Sequence, residues 1–290
     1  MNKRFNISDS VRQKLLNRAK KENRSFNELL QYYAMERFLY RFSISEHVND
    51  FILKGALMLR IWDSPEIRPT MDIDMLGRTD NEVSNIIGII KDVINIRVED
   101  DGLIFDIDSI KTEQITEDAD YKGIRVNFNG LLGNAKVYIQ IDIGFGDVIY
   151  PEAEKGVLPT VLDNPSPELM CYSKESVIAE KFHAMVSIGM LNSRMKDFYD
   201  IWLLSRFCKF KDEDLAKAIY ATFSNKGTKV VKRIIAFEKE FTDLKQIMWQ
   251  AFVKRVKLKN VSENFADVVA EIERFLSPAI KMASNFKIKG

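Results

Sequence analysis

Arg68-Pro69-Thr70-Met71-Asp72-Ile73-Asp74-Met75-Leu76 decides how the chain should fold, because apolar residues alternate there with charged ones. Read as a strand, its period of two turns Met71, Ile73 and Met75 toward a core and sets Asp72 and Asp74 together on the opposite face. Two like charges held that close are costly unless a cation lies between them. Paired carboxylates without a nearby His or Cys suit Mg²⁺. An exposed edge strand with two aspartates gives the same pattern without an ion, so the pair gains meaning only from its surroundings.

Upstream, Phe51-Ile52-Leu53-Lys54-Gly55-Ala56-Leu57-Met58-Leu59 reads as a short apolar strand turning through glycine into a helix. That arrangement lets backbone N–H groups approach a phosphate. Downstream, residues 125–129 and 136–143 alternate as half-buried strands, with Gly130 to Asn134 as a hairpin loop between them. In the second strand Val137, Ile139, Ile141 and Ile143 face one way and Tyr138, Gln140 and Asp142 the other. Asp142 is therefore the preferred third carboxylate; Asp147, after Gly144-Phe145-Gly146, competes from a turn, where aspartate is common anyway. Three carboxylates on neighbouring strands can hold two divalent ions that neutralise triphosphate charge. Arg68 and Thr70 flank the acidic strand and are candidate phosphate contacts.

The rest of the chain sets the frame. Its 290 residues, 46% hydrophobic and 11% aromatic with 13 Gly and 7 Pro, exclude a disordered or collagenous chain. Val11, Leu15 and Ala19, then Phe26, Leu29, Leu30, Tyr33, Phe38 and Leu39, predict two helices between Ser8 and Ser45, the second capped by Ser25 with Glu28. Pro151, Pro159 and Pro165 mark a long connection, after which the pattern is helical to the end. The reading is an α+β protein: a mixed β-sheet with flanking helices plus a C-terminal helical bundle. Its expected parts are an N-terminal helical segment (1–45), a core (46–168) and a helical domain (169–290).

Net charge is only +1, but it is unevenly placed. Met1–Arg41 holds ten basic and four acidic residues, Asp63–Glu168 nine and twenty-two, and Asn225–Lys259 ten and three. Ordinary solvated helix faces explain this; so do carboxylates that hold cations beside basic flanks that receive a polyanion. No apolar run reaches the ~20 residues that span a bilayer, and no secretory h-region follows the N-terminal basic residues, so no membrane and a cytoplasmic location are expected. Cys171 and Cys208 lack metal spacing and read as buried thiols.

Leu53 to Leu57 followed by Arg68-Pro69-Thr70-Met71-Asp72-Ile73-Asp74 resembles the AbiEii/AbiGii nucleotidyltransferase toxin family, which includes the MenT toxins, within the DNA polymerase beta-like nucleotidyltransferase superfamily. Glu175-Ser176-Val177-Ile178-Ala179-Glu180-Lys181-Phe182-His183-Ala184 is similar to that family's lysine-bearing helix. Arg194-Met195-Lys196-Asp197-Phe198-Tyr199-Asp200-Ile201 is similar to its lysine–aspartate motif. The resemblance runs from about Tyr33 to Arg206. One departure is Gly55-Ala56, where the family often has Gly-Gly or Gly-Ser, which leaves backbone N–H donors in place of a hydroxyl.

The resemblance implies Mg²⁺-dependent transfer from a nucleoside triphosphate to a hydroxyl, with the tRNA 3′ end as acceptor. It also implies a cognate antitoxin encoded beside a toxin of a toxin–antitoxin or phage-defence pair. It implies catalytic roles for Asp72, Asp74, Lys181, Asp197 and Asp200; the strand pattern adds Asp142 to Asp72 and Asp74 as metal ligands, and Lys54, Gly55, Arg68, Thr70 and Lys196 are the expected nucleotide-binding residues. Physically, Lys181 on an apolar helix needs an anionic partner, which a triphosphate or a salt bridge would supply. Asp197 and Asp200 share a helix face. His47 and His183 read as packed or capping residues, and Trp62, Phe198, Tyr199 and Trp202 as core. Two alternatives stay open: a protein AMP- or UMP-transferase, and a DNA-binding regulator in which Arg4-Phe5-Asn6-Ile7-Ser8 and two helices form a ribbon-helix-helix unit.

Overall fold

Apolar side chains recurring every three or four residues build α1 (Ile7–Glu22) and α2 (Phe26–Ser43) in a computed structural model that describes residues 7–65, 68–118, 121–231 and 233–286. Ser25 takes the N-cap position of α2, but its side chain makes no capping bond. Glu28 turns to Arg24 at 2.8 Å instead, so an ion pair replaces the expected capping box. Most of the strand of a ribbon-helix-helix unit lies outside the described residues, while Ile7 and Ser8 are helical.

α2 is buried on nearly every face, charged residues included. Arg41 pairs with Asp101 at 2.7 Å, and the Val161 N–H donates to Glu36 at 2.7 Å. Such pairings let most of the helix's polar groups enter the core, although Glu36 Oε1 and Arg37 Nε stay buried without a hydrogen bond. Accordingly the segment expected at 1–45 shares one hydrophobic core with the sheet.

That sheet begins with β1 (Phe51–Lys54), followed by the one-turn α3 (Met58–Ile61), β2 (Asp72–Gly77) and α4 (Val83–Asn95). β3 (Leu103–Asp118), β4 (Tyr121–Leu132) and β5 (Ala135–Phe145) form a meander, and the 125–129 and 136–143 alternation falls in its last two strands. β6 (Glu154–Val157) and β7 (Glu168–Cys171) complete the order β3-β4-β5-β2-β1-β7-β6 among the described residues. β2 runs parallel to β5 and β7 parallel to β1, and the other pairings are antiparallel, which makes the sheet mixed. Residues 150–167 were expected only as a connection. They supply β6 because Gly156 lets Cys171 approach closely: a Cβ there would stand 2.8 Å from its Sγ.

The described residues of Met1–Asp63, Pro69–Gly146 and Glu154–Cys171 form one compact unit. Ser64–Arg68, Asp147–Ala153 and Tyr172–Gly290 form the second. The latter carries α5 (Lys174–Ile188), α6 (Met195–Phe207), α7 (Asp212–Asn225), α8 (Lys239–Val256) and α9 (Phe265–Ala283). Ser173 caps α5 by accepting from the Ser176 N–H. Phe198, Tyr199 and Trp202 are buried in this unit's core, with Phe198 edge-on to Phe265 at 5.1 Å. Cys171 is buried and Cys208 half-buried, both as free thiols. Among the described residues, no helix is long and apolar enough to cross a membrane.

Candidate active site

Ile73 and Met75 are buried and Asp72 and Asp74 half-buried, as a two-residue period dictates. Met71 is different: it precedes β2 and is 56% exposed, because the alternation starts only where the strand does. Register then gathers charge into a row. Lys54 on β1 lies opposite Asp74 on β2, Asp74 opposite Asp142 on β5, Asp142 opposite Arg125 on β4, and Arg125 opposite Glu113 on β3. Residues opposite one another across strands share a face, so five charged side chains run in line across five strands.

Asp72, Asp74 and Asp142 each offer a carboxylate oxygen, and these oxygens lie within 4.8 Å of one another. At that spacing each pair repels by roughly 3 kcal/mol in an effective dielectric of about 20. The Thr70 hydroxyl donates to Asp72 Oδ1, and the Thr70 N–H donates to Tyr32 Oη at 3.1 Å. Gly55, at φ +75°, sits against Asp74; a Cβ there would fall 1.9 Å from Asp74 Oδ2. Glycine is thus required for the carboxylate to occupy its place. Arg125 holds Asp142 through Nε at 2.7 Å and Nη2 at 2.9 Å, and the Gln140 amide donates to both Asp142 oxygens at 3.3 and 3.2 Å. The bond to Asp142 keeps the Arg125 guanidinium above its ordinary pKa. Three carboxylates without His or Cys form an all-oxygen donor set that fits a hard divalent cation.

The second unit contains a buried ionic network. Lys181 lies 3.0 Å from Asp197 and 2.8 Å from Asp200. Arg68 grips Asp200 with Nε at 2.7 Å and Nη2 at 2.8 Å, and Arg194 lies 2.6 Å from Asp197. Burial works against the Lys181 ammonium, but Asp197 and then Asp200 outweigh it and raise its pKa. Burial likewise pushes the Asp200 carboxyl up, yet Arg68 and Lys181 hold it well below the usual carboxylate range. The anion that Lys181 needs is therefore supplied within the fold.

The expected residues fall into two groups: Lys54, Gly55, Thr70, Asp72, Asp74 and Asp142 in the first unit, and Arg68, Lys181, Asp197 and Asp200 in the second. Arg68, expected beside the acidic strand, has its fork on Asp200. Lys196 stands exposed on α6. Asp147 lies 3.7 Å from Lys226 and 3.5 Å from the Tyr172 hydroxyl, in the second unit. His183 is buried, bonded to Thr228 at 3.0 Å and edge-on to Phe223. His47 lies between Asp50 at 3.4 Å and Asp92 at 3.3 Å. Sequence reading missed Arg125, Gln140 and Arg194. Gln140 was placed on the Asp142 face, and Arg125 needed only the hairpin register to be found.

The sequence profile of a family described as nucleotidyl transferase AbiEii toxin, type IV toxin–antitoxin system, matches residues 37–271. Two structures from Helicobacter pylori are similar. One, a candidate nucleotidyltransferase, shares 14% identity over 91% of this chain and 99% of its own, with a TM-score of 0.49. The other, JHP933, shares 14% identity over 89% and 94%, with a TM-score of 0.49. No curated protein matches the sequence significantly.

Proposed function

The chain belongs to the AbiEii nucleotidyltransferase toxin family of type IV toxin–antitoxin systems, and from that premise we propose that it moves a nucleotidyl group from a nucleoside triphosphate to the 3′ end of tRNA with Mg²⁺. As a nucleotidyltransferase of a toxin–antitoxin system it has a nucleotide substrate and an antitoxin partner. One observation carries the reading: three carboxylates within 4.8 Å in a chain of this family. Asp72, Asp74 and Asp142 would hold the metal. When bound, Mg²⁺ supplies positive charge for the triphosphate oxygens and acidifies the attacking hydroxyl.

The chain's own side chains prepare that chemistry. Gly55 leaves room for the Asp74 carboxylate, and Thr70 orients Asp72. Asp197 and Asp200 keep Lys181 charged and fixed, ready as a phosphate cation. Asp200 is accordingly a positioning residue, since Arg68 and Lys181 occupy its carboxylate. Lys54 and Gly55 are proposed to approach the triphosphate from the end of β1. Lys196, exposed on α6, and the basic segments 7–41 and 225–259 are proposed to receive RNA.

The test incubates protein with Mg²⁺, total tRNA and each α-labelled nucleoside triphosphate, beside Asp74→Ala, and separates RNA from protein. Label on tRNA that vanishes in the variant supports the reading and names the base. Label on protein replaces RNA by a polypeptide acceptor, and undiminished labelling by Asp74→Ala removes the carboxylate mechanism.

A further inference from the structure

Arg125 has no task in the reaction just described, yet it controls Asp142. A carboxylate offers about four lone-pair positions. The Asp142 oxygens already accept from Arg125 Nε and Nη2 and twice from Gln140 Nε2. In this arrangement Asp142 is saturated, and it can ligate a cation only by releasing donors. Gln140 is neutral, and its amide need only turn. Arg125 carries the charge that a metal would replace, and the two cannot comfortably share one carboxylate.

The Arg125 side chain is also placed to leave: it is 32% exposed where that of Asp142 is 10%. Its remaining carboxylate contact, Glu113 at 3.3 Å, lies on the side away from Asp74 and is itself 56% exposed. A planar fork that grips a carboxylate with two N–H groups grips phosphate oxygens equally well. We propose that Arg125 is an exchangeable counter-ion: it occupies Asp142 when no metal is bound, yields it to the divalent cation, and passes its fork to the triphosphate of the incoming nucleotide. The inference rests on reading Asp72, Asp74 and Asp142 as the metal carboxylates.

Calorimetric titration of Mn²⁺ into the full-length protein, without nucleotide, compares wild type with Arg125→Met and Arg125→Lys. Inorganic tripolyphosphate is then titrated in saturating Mg²⁺. Removing the competing fork should tighten Mn²⁺ binding by about tenfold and weaken tripolyphosphate binding by about tenfold. Arg125→Lys, which keeps the charge without the fork, should fall between. A side chain that merely braces β4 against β5 would not tighten metal binding when lost. Should Arg125→Met fail to fold, Arg125→Gln carries the same expectations. Unchanged or weaker Mn²⁺ binding, or unchanged tripolyphosphate binding, overturns the proposal. Wild type that binds no Mn²⁺ overturns it together with the metal reading, whereas a wild type that binds Mn²⁺ as the variant does removes the Arg125 inference alone.

Discussion

Asp200→Asn probes the buried network of the second unit most directly. The side chain is 2% exposed and is held by Arg68 at 2.7 and 2.8 Å and by Lys181 at 2.8 Å. An amide removes the charge that two buried cations share and turns an N–H₂ toward one of them. Breaking a buried ion pair on one side costs roughly 3–5 kcal/mol. At roughly 2–4 °C per kcal/mol for domains of about 150–250 residues, the melting temperature should fall by roughly 6–20 °C. Because the native carboxyl is held below its usual range, its contribution is complete above the unfolded value of about 3.9 and is lost as pH falls further. The gap between wild type and variant should therefore be full at pH 7 and shrink below about pH 4. Urea unfolding of Asp200→Asn, Lys181→Met and the double variant measures the coupling. The double should lose less than the sum of the singles by about 1–3 kcal/mol. Destabilisation under about 1 kcal/mol at pH 7, or strict additivity, would refute the network.

Three more outcomes follow from other parts of the fold. Gly55→Ala, which puts a Cβ 1.9 Å from Asp74 Oδ2, should lower single-turnover transfer by about a hundredfold, the cost of roughly 1 Å misplacement; a variant keeping a tenth of the rate contradicts the steric argument. Burial pushes the Glu36 carboxyl up to about 7, so its native form costs nothing below about pH 4.3 and its full amount above pH 7. Glu36→Gln should thus be more stable than wild type by roughly 3 kcal/mol at pH 8 and equal to it at pH 4, as read by urea midpoints. Excess EDTA should stop transfer and added Mg²⁺ restore it; an undiminished rate in chelator would dismiss a metal role.

Local periodicity made part of this molecule readable and left the rest hidden. Asp72, Asp74 and Asp142 could be grouped because each sits in a run where burial alternates every second residue, so the sequence itself states the face. Their neighbours obeyed tertiary constraints instead. Arg68 and Asp200 are 132 positions apart and meet only once the second unit has folded. Glu154-Lys155-Gly156-Val157 has no alternation, so β6 could not be told from a loop. Met71 matched the period but lay one residue outside the strand. Lys181 was identified as needing an anion, but an apolar helix alone cannot reveal that Asp197 and Asp200 supply it.

The row from Lys54 through Asp74, Asp142 and Arg125 to Glu113 also bears on how the sheet finds its register. A one-residue slip of β5 would turn Asp142 into the layer of Val126 and Phe128 on β4 and Ile73 on β2, all buried, and expose an isoleucine among the charges. A hairpin misaligned by one residue thus buries an unpaired carboxylate and breaks the ion pair with Arg125, which disfavours that register. The residues proposed for chemistry double as proofreaders of strand alignment.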